Sequence, residues 1–207
     1  SVLAGPGART RELAFSPDGS TIAAGYDNAE LWLWDRASEK PRAKLAGGRR
    51  YVLALCYSPD GTTLAEGGVD GQLRLRDART GETLREMRIA SPIGDVDFSP
   101  DGGILGSASD DNRLRLWDLN TGELICVLEG HRGFVNGLAF SPDGSLIASG
   151  SHDGRVGLWD VREGSLMRML EGHGDAVLRV AFSPDGRRLA TISWDGTILV
   201  WGLAAAP

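Results

Sequence analysis

The sequence GHRGFVNGLAFSPDGSLIASGSHDGRVGLWD, residues 130–160, is the unit from which the chain is built. Its tag FSPDG at 140–144 recurs at 15–19, 98–102 and 182–186, and as YSPDG at 57–61. The tag serines lie 42, 41, 42 and 42 residues apart. A second tag keeps this spacing as Trp34-Asp35, Arg76-Asp77, Trp117-Asp118, Trp159-Asp160 and Trp201-Gly202. Two tags in register predict five internal repeats.

Turn residues divide each repeat into four short strands. In the fourth copy the predicted strands are 135–140, 146–151, 156–159 and 165–170. Ser-Pro-Asp-Gly makes the first turn, and Asp153-Gly154 is a strong signal for a two-residue hairpin. No segment of ten or more residues keeps a 3.6-residue apolar period without a Gly or Pro break, so helices are not expected.

With these tags and this period, the chain resembles the WD-repeat family over nearly its whole length. The resemblance implies an all-β fold, a β-propeller of four-stranded antiparallel blades, with 1–207 as one domain. The five repeats run from 5–46, 47–88, 89–129, 130–171 and 172–207 plus 1–4.

The two ends of the chain share one split repeat. Val2-Leu3 aligns with Met169-Leu170 at the end of a fourth strand, whereas the last copy stops after its third strand, 197–201. We therefore expect a closed five-bladed ring in which the N-terminal strand completes the last blade. The alternative is that the chain forms part of a larger ring.

The resemblance also implies a hydrogen-bonded tetrad in each complete blade. Copy four supplies His131, Ser149, Asp153 and Trp159, and copy five supplies His173, Thr191, Asp195 and Trp201. These side chains resemble a Ser-His-Asp triad, but the indole has no nucleophilic role and a buried hydroxyl meets no substrate. We interpret both tetrads as structural, with no catalytic residue and no enzyme activity.

The other three copies depart from the tetrad. Copy three keeps Ser107, Asp111 and Trp117 without a histidine, and copy one has Pro6, Ala24, Asn28 and Trp34. Copy two has Glu66 for the serine and Arg76 for the tryptophan, with Asp70 retained. A lone buried charge would be costly, so we expect an ion-paired replacement formed by Glu66, Arg76 and Asp70.

Several classes of site have little support. The net charge of −6 and the pI of about 5.1 give no basic footprint for nucleic acid. No run of 18 apolar residues predicts a membrane span. Two of the three histidines belong to tetrads, which leaves too few ligands for a metal site. The sequence also has no phosphate-binding loop, so we expect no cofactor. Asp95 and Asp97 share one strand face, whereas the two carboxylates of a glycosidase lie on either side of a scissile bond. We interpret the pair as polar residues of the propeller's central channel, or as a water or cation site.

The positions of the two cysteines indicate the cellular compartment in which the protein works. Repeat position places Cys56 on an innermost strand and Cys126 on an outermost strand. Even within one blade these strands lie three spacings apart, roughly 14 Å, beyond the ~7 Å that a disulfide spans. We expect both thiols to be free and the protein to be cytoplasmic.

Members of the family usually bind partners on the face formed by the loops before the first strands and the second-to-third strand hairpins. The candidate residues on this face are Arg9, Arg11, Tyr51, Leu53, Phe134, Asn136, His152, Leu178 and Trp194. Aromatic and arginine side chains are typical of binding hot spots. The sequence favours a scaffold that binds a protein or peptide, similar to bacterial members of the family. The alternative is a small-ligand or sugar-binding propeller, whose sites would recur between blades.

Overall fold

A computed structural model describes residues 2–46 and 51–203, and in this part of the chain the fold is all-β, as predicted. The first sheet contains β1 (Thr10–Phe15), β2 (Thr21–Tyr26), β3 (Glu30–Asp35) and β4 (Lys40–Ala46). The second contains β5 (Val52–Tyr57), β6 (Thr63–Gly68), β7 (Gln72–Asp77) and β8 (Thr83–Arg88). The third contains β9 (Ile93–Phe98), β10 (Ile104–Ser109), β11 (Arg113–Asp118) and β12 (Leu124–Glu129).

The last two repeats continue the pattern. The fourth sheet contains β13 (Val135–Phe140), β14 (Leu146–Ser151), β15 (Arg155–Asp160) and β16 (Ser165–Glu171). The fifth contains β17 (Val177–Phe182), β18 (Arg188–Ser193) and β19 (Ile198–Gly202). Consecutive strands pair antiparallel in every sheet for which the register is resolved. The chain divides into two compact units, residues 1–96 and 97–207, and the boundary falls inside β9.

The repeated tag makes the same turn each time because its side chains satisfy its own backbone. In the fourth copy, the Leu146 amide donates to Ser141 Oγ at 2.9 Å, and the Ser145 amide donates to Asp143 Oδ1 at 3.0 Å. Gly144 then takes a φ of 72°, which a side chain would disfavour. These features explain why the serine, the aspartate and the glycine of the tag recur together.

The core of each unit is formed where apolar residues on the third strand of one repeat pack against those on the first strand of the next repeat. In unit 1, Leu31 and Leu33 of β3 pack with Val52, Leu55 and Tyr57 of β5. In unit 2, the same arrangement joins β11 to β13 and β15 to β17. Gly150 marks how closely the sheets approach, because a Cβ there would lie 2.6 Å from Val177 Cγ1.

The predicted pairing of Val2 and Leu3 with β19 is not present. Neither residue lies in a strand, and among the described residues the fifth sheet has three strands. Leu3 packs instead against a cluster in unit 1 that contains Trp32 and Trp34, so its apolar side chain is already partly buried there. Ser1, residues 47–50 at the start of the second repeat, and residues 204–207 lie outside the described residues. Closure of the ring remains a prediction.

Candidate functional site

Two equivalent hairpins in unit 2 present aromatic side chains at their tips. Between β14 and β15, the Gly154 amide donates to the Ser151 carbonyl at 3.1 Å. The next repeat places Trp194 in the same position as His152, and both side chains are exposed. The Trp194 amide donates to the Ala176 carbonyl at 3.0 Å, which fixes that hairpin against the loop before β17.

Three rings form one continuous cluster, which we call the aromatic cluster: Phe134, His152 and Trp194. The centroids of Phe134 and His152 are 5.4 Å apart, and those of His152 and Trp194 are 5.0 Å apart in an edge-to-face arrangement. Phe134 is 48% exposed and Trp194 is 61% exposed. Such rings offer apolar area to a partner at low entropic cost, because few torsions must be fixed.

Hydrogen bonds join strands β13 and β17, which follow the loops of repeats four and five. The Asn136 amide group donates to the Val177 carbonyl at 2.9 Å, and Arg179 donates to the Asn136 carbonyl at 3.1 Å. Leu178 is half-buried beside Arg179. Three of the candidate residues of repeats four and five are thus in ring contact, and that Asn136 and Leu178 belong to the same surface remains a prediction.

An acidic group borders the aromatic cluster. Asp110 occupies the hairpin position equivalent to His152 in the preceding repeat. Burial raises the pKa of Asp110, while the electrostatic influence of His152 opposes that shift. The surface therefore combines apolar rings with a carboxylate near their imidazole member.

The candidate residues of unit 1 form a second group. The Arg11 guanidinium lies 5.0 Å above the centre of the Tyr51 ring, a cation–π contact. Arg9 is held through its backbone, since its amide donates to Asp27 Oδ1 at 3.1 Å. Tyr51 is exposed and Leu53 is half-buried. That these residues border the aromatic cluster remains a prediction.

The four side chains of the fourth repeat's tetrad are in hydrogen-bond contact. His131 bonds Asp153 Oδ2 through Nδ1 at 3.1 Å and Ser149 Oγ through Nε2 at 2.8 Å. Trp159 Nε1 donates to the same Ser149 oxygen at 2.8 Å. His131, Ser149 and Trp159 are buried, so substrate has no access to the hydroxyl.

The fifth repeat has the same network with a threonine. His173 bonds Asp195 at 3.0 Å and Thr191 Oγ1 at 2.7 Å, and Trp201 Nε1 donates to Thr191 at 3.0 Å. The adjacent trio Ser151-His152-Asp153 is not a triad, since Ser151 donates to the Gly133 carbonyl at 2.9 Å.

The tetrad aspartates are held as carboxylates. Burial alone would raise the pKa of Asp153, but hydrogen bonds from His131 and from the Arg132 amide outweigh it and lower that pKa to about 2. Hydrogen bonds from Thr197 and from the Gly174 amide likewise hold the pKa of Asp195 well below its usual range.

The second repeat contains the predicted ion pair, with an additional member. Arg76 Nε donates to Glu66 Oε2 at 2.7 Å, and both side chains are buried. Arg74 lies 3.4 Å from Glu66 and 3.4 Å from Asp70, so it links the two carboxylates. Burial opposes the charge of Arg74, but Glu66 and Asp70 outweigh that cost and raise its pKa.

An arginine plays a similar part in the third repeat. Arg115 forms an ion pair with Asp111, four residues before it, as Arg74 does with Asp70. Trp117 Nε1 still donates to Ser107 Oγ at 3.0 Å. Neither arginine was predicted, although the sequence carries a signal: the tetrad-position aspartate is followed by arginine four residues later in the second and third repeats.

The acidic pair on β9 has backbone partners. The Phe140 amide donates to Asp97 Oδ2 at 2.9 Å, so this carboxylate links β9 to β13. The Val96 amide donates to Asp95 Oδ1 at 3.0 Å. Within residues 2–46 and 51–203, no group of three or more His, Cys, Asp or Glu side chains is arranged to hold a metal ion. The described residues also contain no helix that could cross a membrane.

Comparison with known families agrees with the strand pattern. The family model described as WD domain, G-beta repeat matches residues 2–35, 81–118, 122–160 and 164–202, more than half of the chain. The model described as anaphase-promoting complex subunit 4 WD40 domain matches residues 43–98. No match was found among curated proteins.

Proposed function

The chain belongs to the WD-repeat family, and from that premise we propose that it is a non-enzymatic scaffold that binds a partner protein or peptide through the aromatic cluster. Repeats of this family generally mediate protein–protein interaction. The binding face comprises the loops before the first strands and the second-to-third strand hairpins. A cytoplasmic location is part of the proposal, because both cysteines are free.

The observation that carries the proposal is the exposure of adjoining rings on two hairpins and on the loop before β13. Trp194 is 61% exposed although it touches His152, so the ring has area left to bury against a partner. Tryptophan is enriched at binding hot spots, where truncation costs about 2–4 kcal/mol. The hairpin positions also differ between repeats, as Asp110, His152 and Trp194 show, whereas a sugar site would recur.

A peptide selection tests the proposal. Peptides are selected from a displayed random library against the whole chain, and their affinities are then measured for Trp194→Ala. We expect at least a tenfold loss, with a stability change within about 1 kcal/mol because the side chain lies at the surface. Ile125→Ala is the matched control, an exposed apolar side chain on β12 of the same unit.

Two results would contradict the proposal. Selected peptides that bind Trp194→Ala as tightly as the parent chain would place the binding site elsewhere. A large drop in melting temperature for Trp194→Ala would show that the aromatic cluster contributes to packing. Titration with a panel of sugars tests the alternative function, since saturable binding of a sugar without peptide binding would favour it.

A further inference from the structure

A small cavity lies between the turns of the first two repeats, within unit 1. Its volume is about 240 Å³, and Tyr57 of β5 forms part of its lining. Its walls come from the first two turn tags, where a Cβ on Gly61 would lie 3.4 Å from Pro17 Cδ. All lining residues fall between positions 16 and 79, so the cavity shares no residue with the aromatic cluster.

The Tyr57 hydroxyl is buried and has no hydrogen-bond partner among residues 2–46 and 51–203. Tyr57 is 7% exposed, and burial raises its pKa to about 12, so the hydroxyl keeps its proton at neutral pH. A buried hydroxyl without a partner is destabilising, because it has given up its bonds to water. The fold does not require this group, since the other four tags carry a phenylalanine at the same position: Phe15, Phe98, Phe140 and Phe182.

Arg42 brings a positive charge to a position that is apolar in the later repeats. It is the extra residue of the bulge in β4, between Pro41 and Ala43. The same bulge position is apolar in the other three four-stranded sheets, where it holds Leu84, Ile125 and Met167. Arg42 lines the cavity, and its charge opposes the rise in the pKa of Tyr57. Two groups that depart from the repeat pattern therefore meet at one cavity.

Arg79, in the turn after β7, is the second cation of the lining. Neither the Arg42 nor the Arg79 guanidinium forms a hydrogen bond or an ion pair with another residue that the structure describes. Both residues are exposed, so their side chains can turn towards a ligand without disturbing the core.

The two aspartates of the lining are accounted for by their own turns. Asp18 accepts bonds from Ser16 Oγ at 2.6 Å and from the Ser20 amide at 2.9 Å, and Asp60 accepts the equivalent bonds in the second tag. The same serine–aspartate bond recurs in the third, fourth and fifth tags. The aspartates offset the charge of the two arginines, so recognition of an anion here depends on directed hydrogen bonds more than on net charge.

We propose that this cavity binds a phosphate group, with Arg42 and Arg79 as its cations and the Tyr57 hydroxyl as a neutral donor. Planar guanidinium groups match phosphate oxygens with paired hydrogen bonds. A phosphate group offers three terminal oxygens to these three donors, one more than a carboxylate offers. The phosphate is either a free ion or part of a monoester, and the site does not rest on the proposed function.

Calorimetric titration of the whole chain tests the proposal. Inorganic phosphate and O-phosphoserine are titrated separately at constant ionic strength, with chloride as the balancing anion. We expect the parent chain to bind one equivalent, and the tighter of the two ligands shows whether the free ion or the monoester is preferred.

Two variants remove one donor each. Tyr57→Phe and Arg42→Leu install residue types that other repeats carry at these positions, so we expect both to fold, as thermal melts would verify. Each loses a bond to a charged ligand, so the dissociation constant should rise at least about tenfold. Arg88→Leu is the matched control, since it removes the same charge from an exposed position of β8 outside the cavity. Arg79→Leu provides a further variant if Arg42→Leu fails to fold.

Melting temperatures in phosphate-free buffer supply the second readout. Tyr57→Phe should be at least as stable as the parent chain, because it removes an unpartnered hydroxyl. A less stable Tyr57→Phe would show that internal water or another contact satisfies the hydroxyl, and would overturn the proposal. A parent chain that binds neither ligand, variants that bind as tightly as the parent, or an equal loss in Arg88→Leu would also overturn it, and none of these results bears on peptide binding through the aromatic cluster.

Discussion

The ion network of the second repeat yields a quantitative prediction about stability. Glu66 is 1% exposed and pairs with both Arg76 and Arg74. Removing one member of a buried pair costs about 3–5 kcal/mol, because the charge that remains is uncompensated. Glu66→Ala removes the carboxylate that faces both guanidinium groups, so we expect it to lie at the upper end of this range.

Arg76→Ala should cost less than Glu66→Ala. Glu66 keeps Arg74 as a partner after this change, at 3.4 Å. The lost contacts include the 2.7 Å bond to Glu66 and the longer bonds from Arg76 to the Gly81 carbonyl and Thr83 Oγ1. We expect about 3 kcal/mol for Arg76→Ala, and a double variant that falls short of the sum by about 1–3 kcal/mol.

The third repeat shows which residues could replace the ion network of the second repeat. There Trp117 donates to Ser107, Arg115 pairs with Asp111, and Leu124 lies opposite the indole-bearing residue where the second repeat has Thr83. The triple variant Glu66→Ser, Arg76→Trp and Thr83→Leu transplants this arrangement and keeps Arg74 with Asp70. Replacing a buried ion pair by packed groups is often neutral or stabilising by about 1–4 kcal/mol, so we expect stability at or above that of the parent chain.

Urea unfolding followed by far-UV circular dichroism measures all five proteins. The expected order is parent and triple variant together, then Arg76→Ala, then Glu66→Ala. Strictly additive single and double variants would refute the coupling between Glu66 and Arg76. A triple variant that is less stable than Glu66→Ala would refute the equivalence of the second and third repeats.

Three further predictions concern the tetrads. Trp159→Ala should destabilise the chain by about 3–5 kcal/mol in urea unfolding, as large core truncations do, and a loss below about 1 kcal/mol would contradict its core role. Because the pKa of Asp153 is lowered in the folded state, its contribution to folding stability is present above pH 4 and is lost as the pH falls towards 2. Thermal melts of Asp153→Asn should therefore show lower stability at pH 7 and a shallower loss of stability in acid. An acid profile identical to that of the parent chain would argue against this role of Asp153. Arg115→Leu should leave Asp111 without its ion pair and lower the melting temperature, whereas Arg113→Leu, which breaks an exposed pair with Glu129, should change it little.

The strand pattern was predictable because its signals are local. The turn tag, the Asp-Gly hairpins and the alternating apolar residues act within about ten residues, and the structure places strands β13 to β16 within a residue of the predicted bounds. The ion pair of Glu66 with Arg76 was also predictable, since the repeat register places the two side chains at contacting positions. Neither Cys56 nor Cys126 takes part in a disulfide within the described residues.

The sequence did not reveal the contacts of side chains that could pack against more than one neighbour. Leu3 has the polarity of a closing strand, and it also fits the tryptophan cluster of its own unit, on which it packs. Asp97 was interpreted as channel polarity or a water or cation site, and its carboxylate also accepts a bond from the Phe140 amide of the next sheet, a contact that the sequence did not reveal. In both cases the residue type fits either role, and packing decides between them.

The histidine-free repeats show how one buried polar network can be filled in two ways. An imidazole reaches the aspartate from the loop before the first strand, as His131 does, whereas Arg74 and Arg115 reach it from the third strand. In the fourth repeat the equivalent third-strand position is Gly157, where a Cβ would lie 2.6 Å from Trp159 Nε1 and 2.9 Å from Ser149 Oγ. The fourth repeat therefore has no room for a side chain at this position, whereas the fifth repeat, which also has the imidazole, carries Leu199 there. Gly157→Arg alone should thus fail to reproduce the arginine arrangement in the fourth repeat, because its Cβ would meet Trp159 and Ser149.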